Sequence, residues 1–170
     1  MDDDVEVPWP GGRLILRPER PEDQIFRFQL FCDSRGPEWS RVALPRPVFN
    51  QIMDHQFDAQ TRTYAQRFPA ARFDIAELDG RRIGRIVVNR PGDHVHIIDQ
   101  AVIPQLRGQG LGTAMMRFLM NEAAVLDQPV RLKLASDNDP SWKLYDRLGF
   151  RQVAEHNAYI EMEWRPGTGS

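Results

Sequence analysis

Hydrophobic and polar residues alternate along the chain with two different periods. Runs of β-branched residues and period-two alternation predict seven strands, at residues 13–17, 72–78, 83–88, 94–103, 130–135, 150–155 and 158–164. Helical spacing of apolar residues predicts four helices: one that carries Ile25 to Phe31 and stops before Gly36, and others at 48–68, 111–126 and 137–148. The order β-α-α-β-β-β-α-β-α-β-β predicts an α/β fold, with a mixed central sheet flanked by helices.

The chain divides into one folded unit and two short ends. Residues 1–12 are rich in proline and glycine and are predicted to be a flexible N-terminal lead-in. Residues 13–165 are long enough to bury a hydrophobic core of their own and are predicted to be a single domain. Residues 166–170 are predicted to be a short tail.

Composition and charge argue against several functional classes. The chain of 170 residues is 41% hydrophobic and 27% charged, which is typical of globular proteins. Its net charge of −2 gives no electrostatic reason to expect nucleic acid or membrane as a partner. The acidic N-terminus lacks the features of a secretory signal, and no apolar run approaches the roughly 20 residues of a membrane helix. Cys32, the single cysteine, excludes an internal disulfide and fits a cytoplasmic location.

The most informative stretch follows the strand at 94–103. Pro104 ends that strand, the segment Arg107–Gly112 (R-G-Q-G-L-G) places glycines on alternate positions, and a helix begins at once. The first amides of a helix have no internal partner and lie at the positive end of its dipole. Glycines let a phosphate approach the backbone closely, and Arg107 adds a positive charge. The segment therefore predicts a site for a phosphate or diphosphate.

Two common phosphate motifs do not fit this segment. A dinucleotide fingerprint requires glycine or alanine where Thr113 stands, and a P-loop requires a lysine that is absent here. The spacing Arg107-x-x-Gly110-x-Gly112 instead resembles the acetyl-CoA signature of the GNAT family of N-acetyltransferases, Q/R-x-x-G-x-G/A. The segment Asn138–Phe150 resembles that family's N-x-x-A-x-x-L-Y-x-x-x-G-F motif, with Ser141 where alanine is usual. The order of elements over 13–165 also resembles the acyl-CoA N-acyltransferase fold.

The resemblance implies an acetyl-CoA-dependent N-acetyltransferase, in which a primary amine attacks the thioester directly and no metal takes part. The strands at 94–103 and 130–135 would then diverge around the coenzyme. The implied acetyl-CoA-binding residues are Val102, Arg107, Gly108, Gln109, Gly110, Leu111, Gly112, Thr113 and Asn138. The backbone of Val102 would bind the pantetheine arm and stabilise the oxyanion. The hydroxyl of Tyr145 would lie near the sulfur and protonate the leaving thiolate.

The group that removes the proton of the amine stays open between two side chains and water. Asp99 lies three residues before Val102, where many relatives carry an acid, and His96 has an unperturbed pKa near 6.5. Strict alternation places Asp99 and His96 on opposite faces of the strand unless a bulge intervenes, so that at most one lies in the site. We favour Asp99 as the base. His94 shares a face with His96, but two histidines without a third ligand are weak evidence for a metal.

Other functions and the acceptor also stay open. A non-catalytic acyl-CoA-binding sensor or scaffold, or a transferase that uses a longer acyl-CoA, would have the same glycine segment. The acceptor is expected to be a small-molecule or peptide amine. In this fold the first two helices and their loop usually shape its pocket, and the residues there have mixed character: Asp33, Glu38, Trp39, Arg41 and Arg46. Edge strands near the C-terminus could pair to form a homodimer.

Overall fold

The computed structural model describes residues 3–39, 43–135 and 139–167. Within these ranges, eight strands form one sheet: β1 (Val5–Val7), β2 (Leu14–Pro18), β3 (Arg72–Leu78), β4 (Arg81–Asn89), β5 (Val95–Val102), β6 (Val130–Leu134), β7 (Arg151–Glu155) and β8 (Ile160–Trp164). The α-helices there are α1 (Gln24–Trp39), α2 (Arg46–Arg67), α3 (Leu111–Val125) and α4 (Ser141–Arg147), and short 3₁₀ turns lie at Pro21–Asp23 and Pro104–Leu106.

The strands lie side by side in the order β1-β2-β3-β4-β5-β6-β8-β7. β5 and β6 pair in parallel, and the other described neighbours pair antiparallel. α3 connects the parallel pair, as a crossover between parallel strands requires. The mixed sheet flanked by helices that the sequence predicts is therefore confirmed.

The N-terminal segment differs from the expectation. Residues 5–7 are not a flexible lead-in: they pair with Leu14–Leu16 as an antiparallel edge strand. Val7 is only 1% exposed and belongs to the main hydrophobic core. The prediction for residues 1–12 is therefore wrong at β1, because a strand of three residues is too short to show an alternating pattern.

The first helix is longer than predicted. α1 continues through Gly36 and Pro37 to Trp39, although the sequence places its end before Gly36. Pro37 lies in the last turn, where its missing amide proton removes only one main-chain hydrogen bond. The ends of α2 and α3 lie within two residues of the predicted positions, which is the ordinary uncertainty of helix boundaries.

The two faces of the sheet differ in chemistry. The face that packs on α3 is apolar and contains Ile86, Val88 and Ile97 beside Met115 and Leu119 of the helix. α1 and α2 pack at the opposite face and share a smaller cluster of their own, formed by Phe31, Met53 and Phe57 with Phe28, Cys32, Phe49 and Ile52 at its edge. Cys32 thus lies in an apolar setting, where burial raises the pKa of its thiol.

A buried ion network anchors the start of α1 to the sheet. Asp23, which is 0% exposed, accepts two hydrogen bonds of 2.8 Å from the guanidinium of Arg17. It also accepts bonds from Arg82 Nε at 2.8 Å and from the amide of Arg20 at 2.7 Å. The bonds from Arg17 hold the pKa of this carboxyl well below its usual range. Glu77, on β3, binds the other side of Arg17 at 2.9 Å. The network thereby fixes where α1 begins.

Candidate active site

The parallel strands β5 and β6 diverge in the middle of the sheet. They pair at Val95↔Val130, His96↔Arg131 and Ile97↔Leu132, and no pair follows although both strands continue. Where the two strands separate, the main-chain groups on the facing edges of β5 and β6 have no partner strand. The structure therefore contains the cleft that the sequence predicts between these strands.

A β-bulge begins where the cleft opens. Asp99 pairs with Val87 on β4, but the next pair is Ile97↔Val88, so Ile98 is an extra residue. The extra residue turns Asp99 to the face that also carries His96. The expectation that Asp99 and His96 lie on opposite faces is therefore wrong, because it assumed strict alternation. Both now lie on the side of α1 and α2.

The end of β5 presents backbone groups to the cleft. Ile103 donates from its amide to Ile83 O at 2.8 Å, so the preceding residue, Val102, directs its amide and carbonyl away from β4. The carbonyl of Val102 accepts a bond of 3.0 Å from Arg107 Nε. Gly84, opposite Val102, is required by the close approach of the strands, since a Cβ there would lie 2.5 Å from Ala101 O. Arg107 thus braces the glycine segment against β5.

The glycine segment is exposed and leads directly into the uncapped start of α3. Gly108 and Gly110 have φ of +77° and +91°, in the region that favours glycine. Gly110 is the N-cap of α3, and no side chain caps the helix or places an acid in its first turn. The first amides of α3 are therefore available to an anion.

Gln100 is a site residue that sequence reasoning missed. Its Nε2 donates to Gly112 O at 2.9 Å and ties the first turn of α3 to β5. The available signal was a polar residue next to the apolar run Ala101–Ile103, on a strand whose α3 face is otherwise hydrophobic.

Asp99 lies two residues after the last pair between β5 and β6, and the pKa of its carboxyl group is raised. Arg85 Nη1 lies 3.5 Å from Asp99 Oδ2, and the amide of Gln100 donates to the same carboxylate. The side chain is 34% exposed, but protein atoms surround the carboxyl group and displace water from it. This burial raises the pKa of Asp99, and the charge of Arg85 lowers it by a smaller amount. Arg85 also binds Glu19 at 3.0 Å, so Asp99 shares its counter-charge. A carboxylate with a raised pKa is a better proton acceptor than an ordinary one.

His96 has the opposite electrostatic setting. Its ring packs edge-on against Phe68, the residue that follows α2, with centroids 5.5 Å apart. Burial, with the charges of Lys133 and the neighbouring His94, lowers its pKa to about 4. The imidazole is therefore neutral near pH 7 and has lost the basicity that made it a candidate.

Tyr145 lies on α4 and belongs to the main hydrophobic core. It is 8% exposed and packs on Phe150, with ring centroids 5.7 Å apart. Burial raises its pKa to about 12, and the charges of Asp139 and Asp99 act in the same direction. Tyr145 is thus protonated and lies within the electrostatic reach of Asp99. The two predicted residues, on different elements, are thus electrostatically coupled.

Tyr64 of α2 is a second residue that sequence reasoning missed. Burial raises its pKa to about 12, and the charge of Asp99 acts in the same direction. The sequence shows it as one of several apolar positions of α2 at helical spacing, a pattern that does not reveal this coupling to Asp99. Asn138, predicted to contact the cofactor, lies outside the described residues.

Two cavities open on the face of α1 and α2. One of about 810 Å³ lies at the end of β5, between Ile103–Gln105 and the α1 residues Phe26, Gln29 and Asp33. The other, of about 380 Å³, lies beside His96 and is lined by Arg131, Lys133, Glu161 and Glu163 among others. Both cavities are lined by acidic as well as basic side chains.

Metal and membrane features can be stated for the described ranges. His94 and His96 have ring centroids 6.2 Å apart, but in these ranges no group of three or more His, Cys, Asp or Glu side chains could hold a metal ion. None of the described helices has the length and apolar character needed to cross a membrane.

Comparison with known proteins agrees with this geometry. The chain is 33% identical over 81 residues to the uncharacterized N-acetyltransferase MJ1530 of Methanocaldococcus jannaschii, covering 46% of this chain and 52% of that protein. It is 29% identical over 100 residues to an N-alpha-acetyltransferase of Sulfurisphaera tokodaii, covering 49% and 58%. The chain thus spans about half the length of these curated relatives.

A solved structure and a family model complete the comparison. The PaiA N-acetyltransferase of Thermoplasma acidophilum, in complex with coenzyme A, superposes with a TM-score of 0.67 over 89% of this chain and 98% of that one. Its identity of 14% supports a shared fold. The model of the acetyltransferase (GNAT) family matches residues 29–150, which are 122 of the 170 residues and include the glycine segment and α4. The chain therefore belongs to the acetyltransferase (GNAT) family.

Proposed function

We propose that this protein transfers an acetyl group from acetyl-CoA to a primary amine by direct attack of the amine on the thioester. One observation carries the proposal: an uncapped, glycine-rich helix start follows the strand at which β5 and β6 stop pairing. The coenzyme A bound to the structural relative and the N-acetyltransferase names of the sequence relatives support the same donor and reaction class.

In this proposal the coenzyme is held by main-chain groups. The amides of residues 108–113 bind the diphosphate, because they are exposed and lie at the positive end of α3. Val102 offers its backbone to the pantetheine arm, since that backbone is directed away from β4. Arg107 keeps the segment in place through its bond to Val102 O. Asn138 is proposed as a further contact, on the family motif alone.

The chemical step needs a proton acceptor, an oxyanion site and a proton donor. Asp99 takes the proton of the ammonium or of the attacking amine, directly or through water. The nitrogen forms its bond to the thioester carbon, and the amide of Val102 stabilises the negative oxygen of the tetrahedral intermediate. The carbon–sulfur bond then breaks, and the thiolate receives a proton from Tyr145. The products are an acetylated amine and coenzyme A.

Transfer is tested by measuring thiol release from acetyl-CoA with a panel of amines that includes amino acids, polyamines, aminoglycosides and peptide N-termini. The proposal predicts amine-dependent thiol release and an acetylated product by mass spectrometry. Tight binding of coenzyme A without release on any amine would instead support a sensor. A series of longer acyl-CoA donors, run beside acetyl-CoA, shows whether acetyl is the preferred group.

Gly110→Ala is expected to raise the Kd for coenzyme A about tenfold. A left-handed backbone costs an alanine about 1–2 kcal/mol, so the free variant shifts away from the conformation of the wild-type segment and must regain it to bind the ligand. The new Cβ itself fits, because its nearest neighbour would lie 3.6 Å away. The matched control is Gly92→Ala, whose φ of +114° carries a similar strain in the turn before β5 and whose Cβ would meet no neighbour within 4 Å. Equal Kd values for the two variants, by calorimetry, would contradict the role of the segment.

Tyr145→Phe is expected to lower kcat about tenfold and to leave the Kd for coenzyme A unchanged. The effect is smaller than the roughly 100-fold or more usual for acid–base catalysis, because a thiolate with a conjugate-acid pKa of about 8.5 leaves without much help. The raised pKa of Tyr145 also makes it a weak acid. Removing the hydroxyl leaves the ring packed on Phe150. An unchanged melting temperature would therefore show that the variant is still folded. An unchanged kcat would remove Tyr145 from the mechanism.

A further inference from the structure

The N-terminal hairpin reaches the glycine segment. Trp9 follows β1 and is half-buried against the main core. Atoms Cζ3 and Cη2 of its indole lie 3.6 and 3.8 Å from the point where a Cβ on Gly110 would be. Gly110 is the left-handed N-cap of α3. An aromatic ring from the N-terminal segment therefore packs on the residue at which this helix begins.

The turn that carries Trp9 is itself fixed in place. Gly11 allows the indole to fold back, since a Cβ there would lie 2.8 Å from Trp9 Nε1. Asp79, at the hairpin between β3 and β4, accepts a bond of 2.8 Å from the amide of Arg13 and donates from its own amide to Arg13 O at 2.9 Å. Gly12 lies so close to Asp79 that a Cβ would be 2.5 Å from Oδ2. Two hairpins thus hold the indole at a defined position.

We propose that Trp9 is a positioning residue for the coenzyme, which holds Gly110 in the conformation that directs the first amides of α3 at the diphosphate. This inference rests on the proposed function. Glycine has more conformational freedom than any other residue, so a loop built on Gly108 and Gly110 loses much entropy when a ligand orders it. A ring packed on Gly110 restricts that freedom before the ligand arrives. Affinity then increases because less ordering remains to be done on binding.

The test compares Trp9→Ala and Trp9→Leu with a matched control, Trp164→Ala. Trp164 also packs on a left-handed glycine, with its Cδ1 3.4 Å from the Cβ position of Gly149, but away from the glycine segment. Calorimetric titration with coenzyme A is expected to show about a tenfold rise in Kd for Trp9→Ala and a smaller rise for Trp9→Leu. Trp164→Ala is expected to keep the wild-type Kd. Thermal unfolding of each variant separates loss of fold from loss of affinity.

A second readout separates positioning from general loosening. With acetyl-pantetheine, a donor without the diphosphate, Trp9→Ala is expected to match wild type in kcat/KM, whereas with acetyl-CoA it loses about tenfold through KM. A wild-type Kd in folded Trp9→Ala, or an equal loss with both donors, would overturn the role of Trp9 and leave the proposed function standing. Failure of the wild-type protein to bind coenzyme A would overturn both.

Discussion

Asp99→Asn is expected to lower kcat by about 100- to 10,000-fold, the range over which a positioned general base contributes. Asparagine keeps the shape of the side chain and can still accept from the amide of Gln100, but it cannot take a proton near pH 7. The attacking amine would then lose its proton to bulk water alone. The Kd for coenzyme A should not change, because the coenzyme is bound by the backbone of other residues.

The pH dependence of kcat/KM tests the same role of Asp99. Only ionised Asp99 can accept a proton, and burial raises its pKa above the ordinary 3.8. Wild-type kcat/KM should therefore fall on the acid side through an ionisation above 3.8, and Asp99→Asn should lack that ionisation. The ionisation of the acceptor, near pH 10 for a side-chain amine and about 8 for the α-amino group of a peptide, should be the same in both proteins.

His96→Gln is the matched control, because His96 lies on the same strand and face. With a pKa lowered to about 4, its imidazole is expected to contribute little, so kcat should stay near the wild-type value. A larger loss in His96→Gln than in Asp99→Asn would assign the proton transfer to His96. Because a raised pKa means that the ionised form of Asp99 costs stability, Asp99→Asn should melt no earlier than wild type at pH 7. A lower melting temperature would contradict that electrostatic account.

The second large effect concerns stability. Asp23→Asn is expected to lower the free energy of unfolding by about 3 kcal/mol at pH 7, because it leaves the buried guanidinium of Arg17 with Glu77 as its remaining carboxylate partner. The value lies at the low end for a broken buried pair, since that partner is retained. Urea unfolding followed by circular dichroism measures it. Asp33→Asn, on the helix α1 that follows and without a described ion pair, should change the free energy by less than about 0.5 kcal/mol.

The pH dependence of this difference follows from the depressed pKa of Asp23. A carboxyl whose pKa is lower in the folded state than its ordinary 3.8 stabilises the fold fully above that ordinary value. The contribution then shrinks as the pH falls toward the folded pKa. The difference between wild type and Asp23→Asn should therefore be constant from pH 7 down to about pH 5 and become smaller at lower pH. A difference that stays the same at pH 3 would contradict the ion network.

The parts of the fold that sequence predicts best are those with local causes. The glycines at 108, 110 and 112, with Pro104 before them, determine a strand end, a turn and a helix start within nine residues. Each of these depends on the conformational properties of the residues themselves. The order of strands and helices was accessible for the same reason, since each element shows its own period.

The parts that sequence missed depend on contacts between distant segments. The bulge at Ile98 exists in the register between β4 and β5, and no pattern within β5 alone contains that register. β1 is a strand because Leu14–Leu16 lie beside it. The raised pKa of Asp99 and the lowered pKa of His96 result from neighbours on other elements. Gln100 joins the site through its bond to Gly112 O, and Tyr64 is coupled to Asp99 by charge, and only the folded chain reveals either.

The most direct test of the account follows the backbone amides of the glycine segment by NMR while coenzyme A is added to ¹⁵N-labelled protein. If these amides bind the diphosphate, the resonances of residues 108–113 should show the largest shifts, and inorganic pyrophosphate should shift the same group more weakly. Binding of coenzyme A that leaves residues 108–113 unshifted, or no binding at millimolar coenzyme, would contradict the account.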